Sequence, residues 1–351
     1  MILYRSLHNI DLPNRTINTK RTFPDDFSSF VSEFVSFTTQ SENNKMYRVV
    51  DENTQIIGCI RKIVEVLGSD LSDEEKTRQM DEQAFSIARK LLREEEVAQL
   101  QIEGTGRVIK KGSLVQALIR KGLGYLYVVA KVEHQEYFNG DSFLKSFGFP
   151  NEKKKIWKSA VIPFKVRDNG LVFEEVRIYT DNAAKYWAER FLELVEAKSN
   201  EYNTITVFKE VEKVLARKIK PVSERDYVLL RNALIQTLKR PQQIEYSEFI
   251  DNLVGNYEPD VDDLRMETVR DILLKLPRTK QFDTQFTTVP SEVKARRSWK
   301  YTPIHGVELV LVGDVENLRE SIVSKYDDAG NRYLKIICRD DKTFTTFLPK
   351  K

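Results

Sequence analysis

The chain is poor in the residues that build metal and thiol chemistry: 351 residues carry only two cysteines and three histidines. Cys59 and Cys338 stand far apart, and His8, His134 and His305 are scattered, so no closely spaced ligand pair exists for a structural zinc. Two unpaired thiols in a reducing compartment are the expectation. Charge of one sign is lacking too. Lys and Arg number 56 against 53 Asp and Glu, a formal net charge of +3, which excludes a histone-like polycation but leaves room for a basic face. No run approaches the ~18 consecutive apolar residues of a membrane span. The opening Met1-Ile2-Leu3-Tyr4-Arg5 leads into no apolar leader segment. A soluble cytoplasmic protein without membrane contact is expected.

Catalytic signatures are equally sparse. No Gly-Lys-Ser/Thr occurs, and Lys111-Gly112-Ser113 has the order of a phosphate loop reversed. Gly104-Thr105-Gly106 lacks a third glycine and follows a helical pattern where a dinucleotide loop follows a strand. There is no Gly-x-Ser-x-Gly elbow. Cys59 and Cys338 sit in apolar runs and read as small core residues. His134, beside Glu133 at the end of a predicted strand, is the one histidine worth testing as a base, although that position suits a surface role. No cofactor is implied.

What the chain does have is apolar material for real cores, at 41% hydrophobic, and mixed charge at 31%. Its length suits two domains. Phe27, Phe30, Val31, Phe34 and Val35 recur at helical spacing behind Pro24. Ile56 to Val66 reads as a short strand meeting a helix or turn. Ser72-x-x-Glu75 has the form of a capping box and opens a long helix with Ala84, Ile87, Ala88, Leu91 and Leu92 on its apolar stripe. Two hairpins follow: Ser113 to Ile119 with Tyr125 to Val132, then Ser159 to Val166 with Leu171 to Tyr179 across Asn169-Gly170.

From about Asn182 the pattern turns helical, with stripes at 184–195, 207–215, 228–238, 249–254 and 264–274. The end is β-rich again: Phe282 to Val289, Val307 to Val312, a hairpin around Asp327 to Asn331 and a last strand near Thr343 to Leu348. The fold class expected is α+β. An N-terminal α+β domain spans 1–180, and a C-terminal domain spans 181–351 with a helical block at 182–276 and a β-rich end at 280–349.

Basic residues interleaved with aromatics are the most informative feature. Lys153-Lys154-Lys155-Ile156-Trp157-Lys158 and Lys294-Ala295-Arg296-Arg297-Ser298-Trp299-Lys300 both have this character, and Lys110, Lys111, Arg120 and Lys121 flank the first hairpin. Acidic residues gather instead at Glu65 to Glu82 and Glu248 to Asp263. Segregated charge of this kind can present one positive face to a phosphate backbone, while Trp157 and Trp299 could stack on bases or sugars. The plainer interpretation makes these solvated loops with each Trp anchoring its segment. An enzymatic alternative pairs Asp260 with Glu292 and Lys294, the outline of a Mg²⁺-dependent nuclease in which two carboxylates hold the metal. Asp260 also reads as the N-terminal cap of a helix over 261–274. A third alternative is a protein-interaction scaffold acting through the helical block.

Several segments carry a likeness together. Gly112-Ser113-Leu114-Val115 leads into Tyr125-Leu126-Tyr127-Val128-Val129-Ala130-Lys131-Val132-Glu133, and Phe147-Gly148-Phe149-Pro150 follows. Phe282-Asp283-Thr284-Gln285-Phe286 and the hairpin from Gly330 to Ile337 continue the order. In this order the chain resembles the bacterial nucleoid-associated protein family, most strongly over 85–180 and 280–340. The resemblance implies association with double-stranded DNA in the nucleoid, no enzymatic activity and no catalytic residues to carry over. The expected activity is DNA binding without sequence preference, by Lys and Arg contacts to phosphates, in a chain that could form a homo-oligomer.

Overall fold

A computed structural model describes residues 1–20, 29, 31–33, 35–36, 38, 43–106, 108–109, 111–138, 145–148, 156–168, 170–180, 186–295, 298–312 and 318–349. The helix expected over 27–37 lies largely outside the described residues. The fold is α+β, as its sequence predicts. Its centre is a nine-stranded sheet in which every pairing is antiparallel. The sheet contains β1 (Ile2–Asp11), β2 (Thr16–Thr19), β3 (Lys45–Arg48), β4 (Gly112–Lys121) and β5 (Gly124–Glu133). After a separate pair, β6 (Gln135–Phe138) and β7 (Lys145–Gly148), it continues with β8 (Ile156–Arg167), β9 (Gly170–Phe173), β10 (Val176–Thr180) and β11 (Val195–Glu196). The order across the sheet is β11-β3-β10-β8-β5-β4-β1-β2, with β9 folded onto β8.

Both expected hairpins are present. Arg120 pairs with Tyr125 across a turn whose Gly122 has φ +59°, and Arg167 pairs with Gly170 at φ +120°, conformations that favour glycine.

Two helices cover one face of this sheet. Helix α1 (Gln55–Leu67) replaces the strand expected there: Ile56, Ile60 and Ile63 are buried at i, i+4 and i+7, so the helical period outweighs the β-branched content. Thr54 caps it by accepting the Ile57 N–H. Helix α2 (Asp73–Ile102) starts as predicted, with Ser72 Oγ accepting the Glu75 N–H at 3.3 Å and Asp73, Glu74 and Glu75 at the positive end of the dipole. Its Met80, Ala84, Ile87, Ala88 and Leu91 pack on the sheet. A smaller apolar cluster lies on the opposite face, built from Leu7, Val115, Ala117, Val128, Ala130 and Val161.

The division expected after residue 180 falls inside the segment that finishes the sheet. The π-helix α3 (Tyr186–Phe191) buries Trp187, Ala188 and Phe191 in the sheet core, and β11 then pairs with β3. A second core begins with α4 (Asn200–Lys218) and α5 (Glu224–Leu238). It continues through β12 (Gln243–Glu245), α6 (Tyr246–Ile250, extended by a π-turn to Gly255), α7 (Met266–Leu274), α8 (Leu276–Lys280) and β13 (Gln285–Thr287). Ser199 and Ser223 cap α4 and α5.

A polar seam joins the two cores. Thr284 N–H and Gln285 N–H both donate to Asn44 O at 3.1 Å. Gln243 and Gln285 donate to Thr180 O at 2.9 and 2.6 Å. Lys45, nearly buried, reaches Glu196 at 2.5 Å and Asn200 at 2.9 Å.

The end of the chain is a pair of separate hairpins. One is β14 (Ser298–Ile304) with β15 (Val307–Val312). After α9 (Leu318–Ser321) comes the other, β16 (Ile322–Tyr326) with β17 (Arg332–Ile336). The last strand expected near 343–348 is instead α10 (Asp341–Thr346), started by Asp340, whose carboxylate accepts the Thr343 N–H at 2.8 Å. A good cap overrides the β propensity of so short a threonine-rich segment. Among the described residues, no helix is long and apolar enough to cross a membrane.

Candidate nucleic-acid interface

The structure disperses the predicted basic clusters. Lys111 precedes β4, whereas Arg120 and Lys121 close its far end, so the ten-residue strand holds them roughly 30 Å apart. Lys111 pairs with Asp11 at 2.5 Å, and that hydrogen bond holds the Asp11 carboxyl below its ordinary range. Arg120 and Lys121 are exposed and have no acidic partner among the described residues. Lys110, Lys153, Lys154, Lys155, Arg296 and Arg297 lie outside the described residues, as does the side chain of Trp157.

Lys158, predicted to meet phosphate, is buried. Alternation along β8 puts it on the helix-covered face with Ala160 and Ile162, where it donates to Tyr186 Oη at 3.1 Å. It belongs to a buried network. Tyr186 Oη lies 3.4 Å from Glu95 Oε1, which also receives Lys131 Nζ at 2.6 Å, and neither Glu95 nor Lys131 has more than 2% of its side chain exposed. Glu95 Oε2 has no hydrogen-bond partner among the described residues.

Trp299 does not offer a free stacking face. It lies edge-on to Tyr227, with ring centroids 5.5 Å apart, and donates its indole N–H to Glu224 at 3.3 Å. Lys220 Nζ sits 5.1 Å from the ring centre and Arg231 5.9 Å from it, so cations already occupy the indole. The residue anchors β14 to α5. Lys300 pairs with Glu308 on the neighbouring strand. Lys294 is exposed.

That indole does mark a basic surface which the sequence reading passed over. Arg217 and Lys218 occupy the last turn of α4, and Lys220 follows before Pro221; all three are exposed. Their signal in the sequence is three cations within four positions at the end of a helical stripe. Only the fold brings β14 against Lys220 and joins the two segments. Arg231, also on this surface, is held by Glu212 at 2.5 Å.

The carboxylates of the nuclease alternative are engaged elsewhere. Asp260 is ion-paired with both Arg225 and Arg319, and its N–H donates to buried Asp226 at 3.1 Å. Tyr257 Oη donates to the same Asp226 at 2.6 Å, and burial pushes that phenol's pKa upward. Asp260 therefore caps no helix; α7 starts only at Met266. Glu292 lies in the short 3-10 turn Pro290–Glu292. Among the described residues, no group of three His, Cys, Asp or Glu side chains is placed to hold a metal ion.

His134 meets Ser113 Oγ at 2.7 Å, and Ser113 also contacts Asn9 at 2.5 Å. The serine is fully buried, so its hydroxyl is closed to a substrate. Burial, then Lys111, Lys131 and Lys20, keep His134 below its ordinary pKa. Cys59 is buried as expected, but on α1, and burial pushes its thiol up. Cys338, expected in a core, is exposed. No family model matches the chain, and no curated protein is similar to it.

Proposed function

We propose that the protein binds double-stranded DNA without sequence preference and works in the cytoplasm on the nucleoid. The observation supporting this is the exposed group Arg217, Lys218 and Lys220 beside the cation-clad Trp299, with Arg120 and Lys121 as a second exposed pair. Cations with no acidic partner among the described residues gain affinity by displacing counterions from phosphates, and this requires no base contact. The Lys153-Lys154-Lys155 run stays in the proposal on its sequence alone.

A salt titration on a random-sequence duplex tests it. Replacing Arg217, Lys218 and Lys220 together by Ala is expected to weaken binding equally on all sequences. The log K against log salt slope should flatten by ~1 to 3. Unchanged affinity and slope would remove this surface. DNA cut only with Mg²⁺ present would return attention to carboxylate chemistry.

A further inference from the structure

The two edges of the nine-stranded sheet are built differently. One ends in β11, only two residues long, whose Glu196 is ion-paired with Lys45. The other ends in β2, Thr16-Ile17-Asn18-Thr19, which has no charge and no proline, and whose register with β1 runs without a bulge. Charges, prolines, bulges and short length are the devices that keep an exposed edge from pairing with another chain, and β11 uses two of them. The ladder tells which backbone groups of β2 are open. Asn9 stands opposite Asn18 and Asp11 opposite Thr16, and Lys20 N–H donates to Leu7 O at 3.1 Å. Hydrogen-bonded pairs alternate along an antiparallel ladder, so 7 bonds with 20, 9 with 18 and 11 with 16. Ile17 and Thr19 therefore turn their N–H and C=O groups away from β1. Among the described residues, nothing bonds to any of these groups.

We propose that two copies of the chain join through β2, the strands pairing antiparallel about a two-fold axis at Asn18 and continuing the sheet from one copy into the other. Self-complementarity selects a second copy as the occupant. With Asn18 opposite its own counterpart, the N–H and C=O of Ile17 meet the C=O and N–H of Thr19 in the other copy, and Thr19 meets Ile17 in return. Every open group of the edge is then satisfied by the same edge, as an isologous contact requires. No like charges meet in this register, because Lys20 comes opposite Thr16 of the other copy. Ile17 packs toward the core under α2, so alternation puts the exposed Asn18 side chain on the face away from that helix. The face toward α2 adds apolar surface. Phe85, 37% exposed, lies 6.1 Å from His8, whose Nδ1 meets Thr19 Oγ1 at 3.0 Å. Leu100, 70% exposed, stands one turn beyond Glu96, which pairs with Arg15 just before β2. An edge this short makes a dimer at the weak end of specific interfaces. This pairing does not depend on the DNA-binding proposal.

Sedimentation of the full chain from micromolar to submillimolar concentration is the test, and a reversible dimer is expected. Asn18→Lys and Asn18→Asp each alter one exposed side chain and leave circular dichroism unchanged. Each also sets like charges against one another at the axis, and should weaken the dimer about 10-fold or more. An equal mixture of the two variants sets ammonium against carboxylate and should form a heterodimer, tighter than either variant's homodimer and visible by native mass spectrometry. That rescue reports the register, because a two-fold axis at residue 18 is what brings the two substituted side chains together. A wild-type monomer overturns the proposal, whether β2 stays bare or pairs with a strand of another protein. A dimer indifferent to both substitutions, or a mixture no tighter than its components, overturns it equally.

Discussion

Two hairpins of this protein have similar local character and opposite fates. In β4 and β5 the strands are flanked by β1 and β8, α2 lies over one face, and the first eight residues of β4 are buried. In β16 and β17 the strands pair only with each other, and all five residues of β17 are exposed, although Tyr333, Leu334 and Ile336 are as fit for a core. Strand formation is a local matter. Burial is decided by what the rest of the chain brings alongside, and an isolated two-stranded ribbon is marginal in water. The sheet unit thus buries its own strands, while the strands of the terminal hairpins stay largely exposed among the described residues.

The largest expected effect comes from comparing the ion pairs of the two regions. Glu95 and Lys131 are sealed under α2, so Glu95→Ala leaves an ammonium buried without its counterion and should cost about 3–5 kcal/mol in urea unfolding. Glu308→Ala breaks the pair with Lys300, whose side chains are more than half exposed, and should change stability by about 1 kcal/mol at most. Replacing Glu95 and Lys131 together by Leu and Met should restore most of the loss. Similar costs for the two single variants would mean that water reaches Glu95, and the contrast between regions would fail.

Packing sharpens the same contrast at smaller scale. Leu118→Ala empties space in the fully buried centre of β4, and a loss of about 2–4 kcal/mol is expected. Val312→Ala, at the exposed end of β15, should shift stability by only about 0.5 kcal/mol. Thermal and urea midpoints of both variants check this. A large loss at Val312 would show that the end of β15 is covered as well.

Legibility in the sequence followed the same division between local and distant causes. The Gly122, Gly170 and Asp327–Asn331 turns and the Ser72 cap were readable because their chemistry lies within a few residues. Strand β1 was not, because its buried positions include Ser6 and His8, polar residues that break the apolar alternation. Ser6 is held by Gln116 and His8 by Thr19, partners no local pattern announces. Lys158 looked like one of a run of surface lysines until pairing with β5 and β10 fixed which face it points to. Trp299 could have been a stacking platform or an anchor, and only the approach of α5 decides for the anchor. The surface formed by Arg217, Lys218 and Lys220 was present as a charge run, but its junction with β14 is a tertiary fact.

The seam between the two cores supplies the smallest test, because burial there falls on a titratable group. Asp283 is 1% exposed and accepts from Asn203 at 2.9 Å, with Lys198 at 3.8 Å; Lys45 and the Met46 N–H also favour its charged form. Burial outweighs these and pushes its pKa up to about 6. The unfolded value lies near ~3.9, so between the two the folded state binds more protons than the unfolded state. Stability from this group is therefore full below pH ~4 and falls as the pH rises to about 6. Asp283→Asn removes that dependence. Relative to the variant, the wild type should lose about 2 kcal/mol between pH 4 and pH 7, and the difference cancels every other titrating group. Urea midpoints of both proteins at the two pH values measure it. A constant difference would mean that Lys198 and Asn203 keep the carboxylate ionised throughout, and that a polar seam buries charge at no more cost than the exposed hairpins do.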